Sequence, residues 1–197
     1  VRLVAEPGKP YQLQGTKYVY LNGKREIDDN GYPMIDPNSF SDLGSPNPDW
    51  IGGINNTFRY KNVALSFLLD ASHGGKVYSL DMDYGTFSGL YPNTAGNNAN
   101  GKPIRGYLAD GDGYLYKGVT ADGKPNTQMV DESGLETGNW TFSTSGNEAH
   151  EQFTYDASYL KLREVSLVYS IRSKAFEKGA TFIKGIDISV SGRNLWI

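Results

Sequence analysis

From Trp50 to Ala71 the chain alternates apolar and polar residues at period two. Successive side chains of a strand point to opposite sides. Trp50, Ile54, Phe58 and Tyr60 therefore fall on one face, and Asn55, Thr57 and Arg59 on the other. Beyond Lys61-Asn62, read as a two-residue hairpin loop, Val63, Leu65, Phe67 and Leu69 alternate with Ala64, Ser66, Leu68 and Asp70. Such a loop makes Tyr60 and Val63 direct partners, so paired residue numbers sum to 123 and both apolar series share one face. The pattern predicts an antiparallel hairpin with a single apolar side.

Ile186 to Leu195 repeats the alternation, with Ile186, Ile188 and Val190 opposite Asp187, Ser189 and Ser191. Tyr159 to Ile171 reads as a longer strand whose parity changes near Glu164. Leu160 and Leu162 lie on one side of it, and Val165, Leu167 and Tyr169 on the other. A bulge or a change of surroundings along the strand would account for that switch. Tyr11 to Leu21 is a weaker strand, closed by the turn signal Asn22-Gly23. Residues 72–155 read as one 84-residue loop, rich in Gly and Asn, with only short strand-like pieces such as Tyr114-Leu115-Tyr116. A loop of this size is unusual in a compact domain and ordinary in an outer-membrane barrel, where loops are long on one side only.

Composition sharpens this picture. Aromatic residues make up 13% of a chain that is only 38% hydrophobic, and 24 glycines accompany them, which favours strands and polar loops over helices. The absence of cysteine excludes a disulfide scaffold, a cysteine zinc site and a thiol nucleophile. A net charge of −3 leaves no electrostatic footprint for nucleic acid. Apolar runs are too short for a transmembrane helix, and a start at Val1 without a signal peptide reads as a chain whose beginning is missing.

No catalytic constellation emerges. His73 and His150 read as two solvated loop histidines, and no nucleophile elbow, zinc-protease motif or phosphate loop occurs. Glu26, Asp28, Asn30 and Gly31 imitate the start of a calcium loop, but Pro37 stands where the closing glutamate belongs. Asp110 and Asp112 begin a similar run that ends at Ala121. Both read as turns, because Asp, Asn and Gly are what tight turns require. The sequon matches at Asn55 and Asn139 carry little weight. The chain therefore reads as a non-enzyme with no metal and no cofactor.

Several phrases occur together in a telling order. Leu43-Gly44-Ser45-Pro46-Asn47-Pro48-Asp49-Trp50 runs into Gly52-Gly53-Ile54-Asn55-Asn56-Thr57-Phe58 and Tyr60-Lys61-Asn62. Gly74-Gly75-Lys76-Val77-Tyr78-Ser79 follows, then the stretch from Asp156-Ala157-Ser158-Tyr159 to Ser166-Leu167, and finally Ser191-Gly192-Arg193-Asn194-Leu195-Trp196. From about Gly31 to Ile197 the chain resembles the C-terminal part of SusC/RagA-type TonB-linked outer-membrane proteins, least securely between Ser88 and Glu151. The resemblance implies an all-β fold: antiparallel strands of a large transmembrane barrel of the 22-stranded type, with residues 72–155 as a long extracellular loop. It implies TonB-driven uptake of large nutrients, oligosaccharide or peptide, at the bacterial outer membrane, with a SusD-like lipoprotein as lid. The plug domain and the segment that meets TonB are absent from residues 1–197, which correspond to a barrel fragment.

The alternative is a soluble β-sandwich that binds carbohydrate through exposed aromatics. The two readings differ in the fate of Val63, Leu65, Phe67 and Leu69, which meet a second sheet in the sandwich and lipid in the barrel. In either case the aromatic residues at Tyr84, Tyr91, Tyr107, Tyr114, Tyr116 and Trp140 are the candidates for contact with substrate or lid.

Overall fold

The alternating segments become neighbouring strands of one sheet. The structure, a computed structural model, describes residues 1–5, 7–8, 10–36, 38, 40–132, 149–172 and 185–196. In chain order its strands are β1 (Arg2–Val4), β2 (Gln12–Gly15), β3 (Tyr20–Leu21), β4 (Lys24–Arg25), β5 (Ser41–Gly44), β6 (Trp50–Tyr60), β7 (Val63–His73), β8 (Lys76–Tyr78), β9 (Thr154–Asp156), β10 (Tyr159–Ile171) and β11 (Ile186–Trp196). An α-helix, α1 (Leu80–Phe87), lies between β8 and β9. The chain divides into two units, one of residues 1–46 and 76–156, the other of residues 47–75 and 157–197.

In the second unit β6, β7, β10 and β11 form an antiparallel sheet in the order β11-β10-β7-β6. The expected hairpin holds its expected register from Trp50↔His73 to Tyr60↔Val63. Lys61 takes a φ of 50° at the turn, the left-handed conformation that tight hairpin loops need. The parity break in β10 is a bulge. Leu162 faces Leu69 and Glu164 faces Leu68, so Arg163 stands outside the ladder. The same residue is skipped on the β11 side, between Leu162↔Trp196 and Glu164↔Arg193. With one residue taken out of the count, Leu160 and Leu162 return to the face that carries Val165, Leu167 and Tyr169. Those residues pair with Leu65, Phe67 and Leu69 on β7 and with Ile188 and Val190 on β11.

The first unit departs from the sequence reading. Residues 72–155 are not one loop: β7 runs on to His73, and β8, α1, short 3₁₀ turns and β9 follow. The composition argued against helices, yet local capping forms α1. Ser79 Oγ accepts from Met82 N at 3.2 Å, and Asp81 and Asp83 occupy the positive end of the helix. The expected strand from Tyr11 to Leu21 divides into β2 and β3, with Tyr18 between them bridged to Ile35. Asn22 and Gly23 have φ of 50° and 78°, as a two-residue turn joining β3 to β4 requires. Ile27, Tyr116 and Val130 form a buried cluster with Tyr32 and Tyr114 packed against it. Ile27 N donates to Val119 O at 2.8 Å, which fastens the early segment to the later one.

The histidines are a further correction. His73 ends β7 and stacks on Trp50 at 5.9 Å between ring centroids. His150 is half-buried, with its ring 5.7 Å from that of Tyr78. Its Nδ1 accepts from Thr16 N at 3.0 Å, while His150 N donates to Thr16 Oγ1 at 3.0 Å. His73 is exposed but belongs to a strand, and His150 is neither fully exposed nor free of partners.

Candidate functional site

Two surfaces carry chemistry, one in each unit. In the sheet of the second unit, one face is predominantly apolar on all four strands, with Asn56 beside Phe67 as a polar exception, and it is largely open. Phe58 is 58% exposed, Ile188 54% and Val190 72%. A water-soluble domain buries such a face, since each of these side chains gains roughly 1.5–3 kcal/mol on leaving water. The opposite face is polar: Arg193 pairs with Glu164 at 3.2 Å, and Asn55, Thr57, Ser66 and Ser189 lie along it. Eleven residues of β6 or β7 at about 3.3 Å each, tilted by about 45°, rise roughly 25 Å, the height of the apolar band on outer-membrane barrels. Trp50 stands at one end of β6 and Tyr60, with the Lys61 ammonium 5.3 Å from its ring centre, at the other. On outer-membrane barrels the aromatic girdles lie at the two ends of such strands.

The first unit contains a cleft of about 770 Å³, lined by Tyr20, Arg25, Asn97, Asn98, Ile104, Tyr114, Tyr116 and Lys117 among others. The Asn22-Gly23 turn sets Tyr20 directly opposite Arg25, so both side chains leave the same side of the β3–β4 ribbon. The Arg25 guanidinium lies 4.2 Å from the centre of the Tyr18 ring. Tyr20 OH donates to Glu151 Oε1 at 2.7 Å, and burial together with this carboxylate pushes its phenol pKa up. Asn98 shapes the wall: its Oδ1 accepts from Asn100 N and Lys102 N, and its Nδ2 donates to the carbonyls of Gly111 and Gly113. Tyr114 and Tyr116 meet edge to face at 4.8 Å.

The residues singled out from sequence are dispersed. Tyr84 and Tyr107 are exposed, at 65% and 52%. Tyr91 is half-buried and donates to Asp81 Oδ2 at 2.6 Å, a bond that raises its pKa. Tyr114 and Tyr116 come together at the cleft, with Tyr116 only 4% exposed and part of the core. Trp140 lies outside the described residues. Sequence reasoning passed over Tyr20, Arg25 and Lys117. The available signal was the Asn22-Gly23 turn, which implies the pairing of Tyr20 with Arg25.

The Asp28 turn is occupied by its own backbone. Asp28 Oδ1 accepts from Asn30 N at 3.0 Å and from Tyr32 N at 2.8 Å. Among the described residues no three His, Asp or Glu side chains gather as metal ligands would. No described helix is long and apolar enough to cross a membrane.

No protein-family model matches the chain. It is similar to TonB-dependent receptor P26 of Formosa agariphila, with 25% identity over 175 residues, covering 89% of this chain and 15% of that protein. Its fold is similar to the RagAB peptide importer in the open-open state, at a TM-score of 0.59 and 14% identity over all of this chain and 20% of that one. The closed-closed state of the same importer gives a TM-score of 0.55 at 14% identity, covering 98% of this chain and 20% of that one. The chain thus spans a fifth or less of the length of the proteins it matches. At such identity the structural likeness speaks for the fold alone. The chain is thus similar in sequence to a TonB-dependent receptor and similar in fold to the RagAB importer.

Proposed function

We propose that the chain is part of an outer-membrane, TonB-dependent importer of large nutrients, glycans or peptides, that works with a SusD-like surface lipoprotein. The carrying observation is the open apolar face shared by β6, β7, β10 and β11, backed by a polar face on the other side of the same strands. In this reading the apolar face meets lipid and the polar face lines the barrel interior. A closed barrel of large strand number needs further strands from the rest of the protein, beside β6 and β11. TonB engages a part of the protein outside this chain.

Topology orients the sheet. The Lys61-Asn62 turn closes one end of the hairpin, as periplasmic turns do. Trp50, His73 and Tyr159 share the other end, where the chain continues into both stretches of the first unit. Residues 72–155 are accordingly assigned to the extracellular side, where exposed aromatics such as Tyr84 and Tyr107 would contact lid or substrate. The soluble sandwich lacks support from the exposed apolar face, which it would have to cover with a second sheet.

Single-cysteine labelling of the full-length receptor in cells tests this, since residues 1–197 contain no cysteine. Phe58→Cys, Phe67→Cys and Val190→Cys are expected to react with a lipid-phase probe and resist a water-soluble maleimide. Thr57→Cys, Ser66→Cys and Ser189→Cys are expected to do the reverse. Uniform reactivity with the maleimide would refute the membrane placement.

A further inference from the structure

The cleft of the first unit has a sign. None of the residues that line it is Asp or Glu, whereas Arg25 and Lys117 both do. Among the described residues neither cation forms an ion pair. The neighbouring carboxylate, Glu151, accepts from Tyr20 OH and Tyr18 N through Oε1. Two cations in a concave, low-dielectric wall raise the local concentration of anions. Arg25 is also held in place, its guanidinium stacked over Tyr18, so its planar donor fork is orientated before a ligand arrives.

The remaining lining is suited to a ring or an apolar side chain. Tyr20 and Tyr114 offer aromatic surface, Ile104 an apolar floor, and Asn97 an amide with both donor and acceptor. A volume of about 770 Å³ is within the range of clefts that enclose small ligands. We propose that this cleft is a binding site for a short carboxylate-bearing oligomer, with the carboxylate on Arg25 and Lys117 and the ring or apolar part against Tyr20 and Tyr114. The cleft thereby selects acidic over neutral members of the nutrient class, an inference that rests on the importer reading for the delivery of such a ligand. Charge-assisted, two-pronged contact with a carboxylate is the chemistry that Arg supplies and an amide does not.

The test is calorimetric titration of the purified full-length receptor, which reads binding without transport. The probes are a tetrameric oligogalacturonate against its neutral galactose counterpart, and a glutamate-containing pentapeptide against its glutamine counterpart. At least one acidic probe is expected to bind about tenfold more tightly than its neutral partner, with an advantage that shrinks as salt is raised. The oligosaccharide and peptide arms identify the source of the carboxylate. Arg25→Gln combined with Lys117→Gln is expected to abolish the preference for the acidic probe. Lys117→Gln alone, at an exposed side chain, is expected to reduce it, and keeps the test valid if loss of Arg25 disturbs folding. Equal binding of acidic and neutral probes, or a preference untouched by Lys117→Gln and the double substitution, would overturn the proposal. Charge-selective binding in a receptor that supports no uptake would uphold the cleft and count against the importer reading alone.

Discussion

Arg163 is excluded from the ladders of β10 and reaches sideways to Asp70 on β7, with Nε and Nη2 each 2.7 Å from Oδ2. The bulge residue thus projects to the polar face while its exclusion brings Leu160 and Leu162 to the apolar one. Register and hydrophobic pattern are reconciled at one position. Deleting Arg163 leaves Leu160, Leu162, Val165, Leu167 and Tyr169 in strict alternation along a regular strand, so the full-length receptor is expected still to assemble a heat-modifiable barrel. Arg163→Ala keeps the extra residue and loses only a solvent-screened ion pair, so assembly is expected to persist. Loss of the barrel on deletion but not on substitution would show that the extra residue is itself required and does more than reconcile the two halves of the strand.

Adjacent residues on β7 give a second contrast. Phe67 belongs to the apolar face and Ser66 to the polar one. An arginine facing lipid near the bilayer midplane costs about 2–4 kcal/mol, whereas one facing a wet lumen costs little. Phe67→Arg in the full-length receptor is expected to reduce the folded fraction in urea titrations of reconstituted protein, and Ser66→Arg to leave it near wild type. Matching losses would reverse or abolish the face assignment.

The long strands were legible in sequence because a sheet with one lipid-like and one polar side writes its geometry as strict alternation. Tyr60↔Val63 followed from loop length alone, and the failed parity around Glu164 marked the place of the bulge while leaving a change of surroundings as the other explanation. The first unit left no such trace. Its core draws Ile27 from one stretch and Tyr116 and Val130 from another, joined by isolated bridges such as Glu26↔Val119, and contacts of that kind have no period. Its helix depends on one serine cap, a local signal that composition averages away. The cleft was half visible. Tyr114 and Tyr116 stood out as aromatic residues, but the cations facing them come from a two-residue strand and an irregular segment.

The pairing of His150 with Thr16 predicts a pH dependence. Burial holds the His150 imidazole below the ordinary histidine value, and its Nδ1 serves as an acceptor from Thr16 N. The folded unit therefore favours the neutral ring. Above a pH of about 6.5 the contact contributes in full. Below that, the unfolded chain binds a proton that the folded one refuses, and stability falls as pH drops toward the lower folded value. Hydrogen exchange at the Thr16 and His150 amides, corrected for intrinsic rates, is expected to show weaker protection at pH 5.5 than at pH 7.5. His150→Asn, which retains an acceptor and cannot titrate, is expected to remove the difference. An unchanged difference in that variant would assign the effect to another group.

The last expectation concerns the stretch from Thr94 to Gly123, which a free connector would lose cheaply. Doubling a flexible loop costs only about 0.6 kcal/mol, so halving one should change little. The stretch is not free, however. It delivers Ile104, Tyr116 and Val119 as buried side chains, and Val119 exchanges backbone hydrogen bonds of 2.8 Å with Arg25 and Ile27. Ile27, at 2% exposure, would lose Tyr116 from its surroundings. Truncating a core residue of this kind costs about 2–5 kcal/mol, and excision removes several at once. The full-length receptor with residues 94–123 replaced by a short Gly-Ser linker is therefore expected to yield to protease within residues 16–36. Its strands, which on the importer reading face lipid and lumen, are expected to assemble as a heat-modifiable barrel, while lid capture or uptake declines. Protease resistance equal to wild type would show the first unit to hold together without that core. A barrel that fails to form would show the segment to be a requirement of membrane assembly. Normal lid capture and uptake would remove the contact role proposed for Tyr107 and its neighbours.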